Sequence, residues 1–188
     1  ASSLMSIFFG MVASGAWNPK ERAANILDGG TPFYDTYATS DGQWVSIGSL
    51  EPKFFAEMVE RVGLDPSYVK RQHDKTCWPQ MRADMVRLIG AKTRDEWDRL
   101  LGGTDVCFAP VLRLDEVTQH PHAQARQAYI DLNGVVQPAP APRFSRSQPE
   151  TPSAPVAAGT HTDAVLADAG FTKAEIAVLR AAGAAVGS

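Results

Sequence analysis

The 188 residues suffice for one domain with extensions, and a hydrophobic fraction of 44% allows a modest core. A formal net charge of −3, with lysine and arginine scattered along the chain, excludes an electrostatic nucleic-acid surface. The two cysteines, Cys77 and Cys107, lack CxxC or zinc-type spacing; they read as reduced, buried thiols in a reducing, cytoplasmic compartment, with no metal.

Ala1 to about Trp17 reads as a helix apolar on all sides, which needs a cover. It has no basic n-region of a signal peptide and is too short and too interrupted by Gly and Ser to span a bilayer, so no membrane partner is expected. Asn18 to Asn25 is a polar loop, and Gly29-Gly30 a flexible connection rather than a phosphate loop. Phe33 to Thr39 is aromatic and β-branched, hence a strand. Ser40-Asp41-Gly42 turns the chain and Gln43 to Ile47 returns it. Pro52 opens a helix with apolar positions Phe54, Phe55, Met58, Val59 and Val62, stopped by Gly63.

Trp78-Pro79 opens a second helix with the stripe Met81, Met85, Leu88 and Ile89. Thr93 and Glu96 form a capping box for a third, through Trp97, Leu100 and Leu101, ended by Gly102-Gly103. Val106 to Ala109 is a short buried strand stopped by Pro110, and Leu114 to Ala128 a helix broken near Pro121. From Asn133, six prolines between Pro138 and Pro155 indicate an extended arm. Two short helices follow: one capped by Thr160 or Thr162 and stopped by Gly170, the next opened by the capping box Thr172/Glu175 and stopped by Gly183. The predicted class is α+β: a small domain with a short antiparallel sheet and packed helices. An apolar N-terminal helix precedes it, and a Pro-rich arm with two short helices follows. The expected segments are 1–28 as linker helix and loop, 29–132 as the small domain, 133–158 as the arm and 159–188 as a helical tail that docks elsewhere.

Glu51 is the main candidate for chemistry, because a carboxylate at a helix start faces unpaired N–H groups and the positive end of the helix dipole. Position alone would allow it merely to decorate that start. Tyr34 and Tyr37 are candidate substrate-lining residues, with sheet packing as the default; Asp35 is expected on the opposite face without a role, and Trp44 and Trp97 in the core. His73, His120, His122 and His161 read as solvated or capping residues, and no GxSxG elbow supports a hydrolase triad.

Several motifs occur in one order: Leu27-Asp28-Gly29-Gly30-Thr31-Pro32-Phe33-Tyr34, Asp41-Gly42, Gly48-x-x-Glu51-Pro52-x-Phe54, Trp78-Pro79, Thr104 to Leu112, Pro140 to Ser145 and Gly159 to Thr162. Together they resemble the C-terminal half of the α-methylacyl-CoA racemases, within the family III CoA-transferase (CaiB/BaiF) superfamily. The resemblance implies α-proton exchange on 2-methylacyl-CoA thioesters through an enolate, between a His–Glu pair on one face and an Asp on the other. Glu51 matches the Glu of that pair; the matching His and Asp, and most of the CoA-binding surface, belong to the family's N-terminal half. No tightly bound cofactor is implied, coenzyme A entering as part of the substrate. The family's interlocked homodimer places each site between two subunits, and the chain alone is expected to be inactive. A CoA-transferase of the same superfamily is the alternative; its members often carry a glycine-rich loop and lack Glu-Pro, whereas this chain has Glu51-Pro52 and no such run. A non-catalytic dimerisation or binding piece is the third reading.

Overall fold

The computed structural model describes residues 2–187. The chain divides into two compact units, Ala1–Leu114 and Asp115–Ser188. Both are built from short helices and antiparallel strands, so the class is α+β. No helix among the described residues is long and apolar enough to cross a membrane.

In the first unit, β1 (Tyr34–Ala38) and β2 (Trp44–Gly48) form the expected hairpin, Tyr34 opposite Gly48 and Ala38 opposite Trp44. Gly42 turns it at φ 73°, a backbone region that side chains disfavour. β3 (Phe108–Val111) joins the other side of β2, giving the order β1-β2-β3. The expected strand at Val106 to Ala109 is thus displaced by two residues. Pro110 does not end it but pairs with Val45 inside it, which an edge strand tolerates because one row of its N–H groups has no partner.

Strand period two sorts the sheet's faces. Phe33, Tyr37, Val45 and Ile47 are buried on the inner side. Three helices cover them: α2 (Pro52–Val62), α3 (Trp78–Ile89) and α4 (Arg94–Leu101). α2 contributes Phe55, Met58, Val59 and Val62, α3 contributes Trp78, Met81, Met85 and Ile89, and α4 contributes Trp97 and Leu101. Each such side chain contributes about 1.5–3 kcal/mol by leaving water. Gly63 closes α2 at φ 83°, and the predicted Thr93/Glu96 box is fully formed at α4. Trp44 departs from expectation: it is 49% exposed on the outward face, in register with Val111. Residues 2–5 form a 3-10 turn and α1 spans Ser6–Ala13, with no buried residue in either. The cover expected over this apolar segment is absent among the described residues; Leu4 and Phe9 are 79% and 71% exposed.

The second unit holds α5 (Pro121–Ala125), the hairpin β4 (Tyr129–Leu132) and β5 (Val135–Pro138), then α6 (Thr162–Asp168) and α7 (Lys173–Ala181). The hairpin replaces the extended conformation expected from Asn133. Asn133 and Gly134 take φ 55° and 86°, the twist-matched two-residue turn for which Asn-Gly is a favoured pair. α6 starts after His161, so neither threonine is its N-cap, whereas the Thr172/Glu175 box at α7 is formed.

Candidate active site

Glu51 is the N-cap residue of α2, in extended backbone (φ −75°, ψ 139°), with Pro52 as the first helical residue. It is exposed, and its side chain makes no capping bond. No other hydrogen bond or ion pair holds that carboxylate among the described residues, although this position normally employs its side chain on the helix's free N–H groups. The helix start thus leaves this carboxylate open to solvent.

The segment leading to Glu51 is anchored on both sides. The Gly48 N–H donates to the Cys107 carbonyl at 2.9 Å and the Ser49 N–H to the Phe33 carbonyl at 2.9 Å. The buried Ser49 hydroxyl donates to the Val106 carbonyl at 2.6 Å. Gln72, 4% exposed, donates its amide to the carbonyls of Ser49 (3.2 Å) and Leu50 (2.9 Å). Its backbone carbonyl accepts the Trp78 indole N–H at 2.8 Å. Buried amides that satisfy buried carbonyls in this way fix a local backbone path, and here the path ends at Glu51.

Beside that strand exit lies an open cleft of about 340 Å³ on the outward face of the sheet, lined by residues that include Tyr34, Thr36, Ser46, Gly48 and Cys107. Cys107 was expected to be buried. It is exposed, because the chain passes through φ 56° there and turns the thiol outward; Cys77 is buried as expected. Partial desolvation by the surrounding atoms pushes the Cys107 thiol above its ordinary range even at this exposed position, and the charges of Glu51 and Asp105 push the same way against nearby Lys53. Glu51 and the cleft thus share one electrostatic neighbourhood.

Tyr34 and Tyr37 lie three positions apart in the strand and fall on opposite faces. Tyr34 lines the cleft. Tyr37 is 3% exposed in the core, its hydroxyl donating to the Pro32 carbonyl, so the two tyrosines are not brought together. Asp35 shares the Tyr37 side rather than the opposite one and pairs with Arg82 of α3. Arg82 also donates to the Gly29 carbonyl at 2.7 Å, tying α3 to the loop behind the cleft.

That loop is not flexible in the way Gly29-Gly30 suggested. The Asp28 carboxylate accepts from the Asn25 backbone (2.8 Å), the Asn25 side chain (2.7 Å) and the Gly30 N–H (3.2 Å). Burial acts to raise its pKa, but these hydrogen bonds and one from Ala24 together hold it below the usual carboxylate range. A Cβ on Gly30 would lie 2.5 Å from the Asn25 carbonyl oxygen, so glycine is required there by packing. Gln72 and Arg82 were missed by sequence reading, since neither lies in a motif and each acts on residues far away along the chain. Among the described residues no group of three or more His, Cys, Asp or Glu side chains could hold a metal.

Comparison with known proteins places these residues in context. The sequence profile of CoA-transferase family III matches residues 1–162. The chain is 39% identical to the α-methylacyl-CoA racemase of Mus musculus over 165 residues, 86% of this chain and 43% of that protein. It is 36% identical to the Homo sapiens α-methylacyl-CoA racemase over 158 residues, 82% of this chain and 41% of that one. The chain therefore spans about two-fifths of the length of these curated relatives, roughly their C-terminal part. In fold it is similar to the crystal structure of a CaiB/BaiF family protein from Brucella suis (TM-score 0.62, 20% identity), over 89% of this chain and 45% of that one.

Proposed function

The chain belongs to CoA-transferase family III, and from that premise we propose that it forms part of a racemase that interconverts (R)- and (S)-2-methylacyl-CoA thioesters. The observation that carries this reading is Glu51: an exposed carboxylate at a helix N-cap, unused by the helix, at the end of a pinned backbone path and beside an open cleft. The identity to two α-methylacyl-CoA racemases supports the racemase over the transferase.

In this reading Glu51 accepts a hydrogen bond from an imidazole supplied by polypeptide outside these residues. Its charge holds that ring in one tautomer and favours the imidazolium formed when the ring takes the substrate's α-proton. A second acid/base group on the opposite face returns a proton to the enolate. None of the chain's four histidines hydrogen-bonds Glu51 among the described residues, so the site is completed by the rest of the protein and, in a homodimer, by the partner subunit. Coenzyme A arrives as part of the substrate, and the two free thiols suit a cytoplasmic setting.

The test is solvent-deuterium wash-in at the α-carbon of a 2-methylacyl-CoA, catalysed by the full polypeptide that the gene encodes. Glu51→Gln should slow exchange by about 10²-fold or more, while the 188 residues alone should give none. Undiminished exchange by Glu51→Gln, or catalysis by the isolated chain, would refute the assignment.

A further inference from the structure

Gly48 is a glycine without a local reason to be one. It ends β2, and its φ lies outside the positive region that favours glycine. A Cβ there would meet the Cys107 carbonyl oxygen at 3.5 Å, Tyr34 Cε2 at 3.7 Å and Cys107 Cβ at 3.8 Å, all ordinary van der Waals contacts. The contrast with Gly30, where a Cβ would collide with backbone, is direct. A strand glycine loses cross-strand packing and adds entropy to the unfolded chain, and it commonly marks the close approach of another molecule. Here the cross-strand partner is Tyr34, and the open side of the pair is the cleft.

We propose that Gly48 is a specificity-determining residue, the side chain it lacks being the space that the branch on an acyl-CoA's α-carbon occupies over the cleft floor. The proposal rests on the racemase reading, which puts that carbon near Glu51, three residues further along the chain. The side chains of Tyr34 and Cys107 bound the space on either hand, so a methyl group on Gly48 and a methyl group on the substrate compete for the same volume. The residue does not touch the proton in flight; it sets how large a branch can sit there.

The test compares octanoyl-CoA with 2-methyloctanoyl-CoA, which differ only in the branch, as substrates for deuterium exchange by the full polypeptide. Gly48→Ala should lower the ratio of kcat/KM for the branched thioester to that for the straight one about tenfold. The ratio of the two, measured on one preparation, is independent of the fraction of enzyme that is folded. Cys107→Gly, at a position whose φ of 56° already suits glycine, widens the same space and should raise exchange of 2-ethyloctanoyl-CoA relative to 2-methyloctanoyl-CoA. This second variant decides the matter if Gly48→Ala does not fold. An unchanged ratio in an active Gly48→Ala enzyme overturns the proposal alone, as does the lack of any gain with Cys107→Gly. Wild-type enzyme that exchanges neither octanoyl thioester overturns the racemase reading and this proposal with it.

Discussion

At the scale of single residues, the pairing of Glu51 with Cys107 is open to a measurement that needs no catalysis. The Cys107 thiol is raised first by desolvation and then by the negative charges of Glu51 and Asp105. Only the thiolate reacts with alkylating agents, so labelling by iodoacetamide should begin at higher pH than for an unperturbed cysteine. Glu51→Gln removes one of the raising charges, and the labelling profile of Cys107 should move to lower pH. Cys77 is buried, so it should stay unlabelled in the folded chain and any labelling there would report unfolding. A profile that stays in place would mean that Glu51 does not reach the cleft. Glu51 itself was legible in the sequence as a helix-start carboxylate, because Gly48, Pro52 and the apolar spacing beyond bracket it. The orientation of Cys107 was not, because a non-glycine residue at positive φ leaves no trace in composition or period.

At the scale of elements, the approach to the site depends on a side chain outside every motif. Gln72 follows the 3-10 stretch Pro66–Arg71 and reaches back to the last carbonyls before α2. Gln72→Leu keeps the volume but leaves those acceptors without their donor. Such a loss costs about 1–3 kcal/mol, to be read as a lower urea midpoint at unchanged slope; a midpoint equal to wild type would show that the anchor carries no weight. Sequence reading recovered the elements whose signals are local: the Gly42 hairpin, the Pro52 helix start, and both capping boxes at Thr93 and Thr172. It failed where one local signal overrode another. The run of prolines concealed the Asn133-Gly134 turn, and Pro110 read as a stop when its position at a sheet edge makes it a permitted member of β3. Contacts such as Gln72 to Leu50 or Arg82 to Asp35 depend on tertiary packing, which no pattern within one segment encodes.

At the scale of the molecule, the core of the first unit is one-sided. The inner face of the sheet is covered by α2, α3 and α4, while Tyr34, Trp44 and Val111 on the outer face are 37%, 49% and 40% exposed. The class, α+β, was legible because strand-like and helix-like periods alternate in blocks. The bare outer face was not, because Trp44 reads as a core residue wherever its strand is placed. A small sheet with exposed aromatic surface is open to a hazard unrelated to catalysis: other chains adding to its rim as further strands. Pro110 guards one rim. It sits on the edge strand β3, opposite Val45, and has no N–H to offer an incoming backbone. Pro110→Ala would restore that donor in a run of apolar neighbours, and the variant should scatter light at a lower temperature on heating than the wild-type chain. An equal onset would assign the protection to something else. One imino acid, placed where it interrupts no internal pairing, thus leaves the rim of β3 one backbone donor short of a full template.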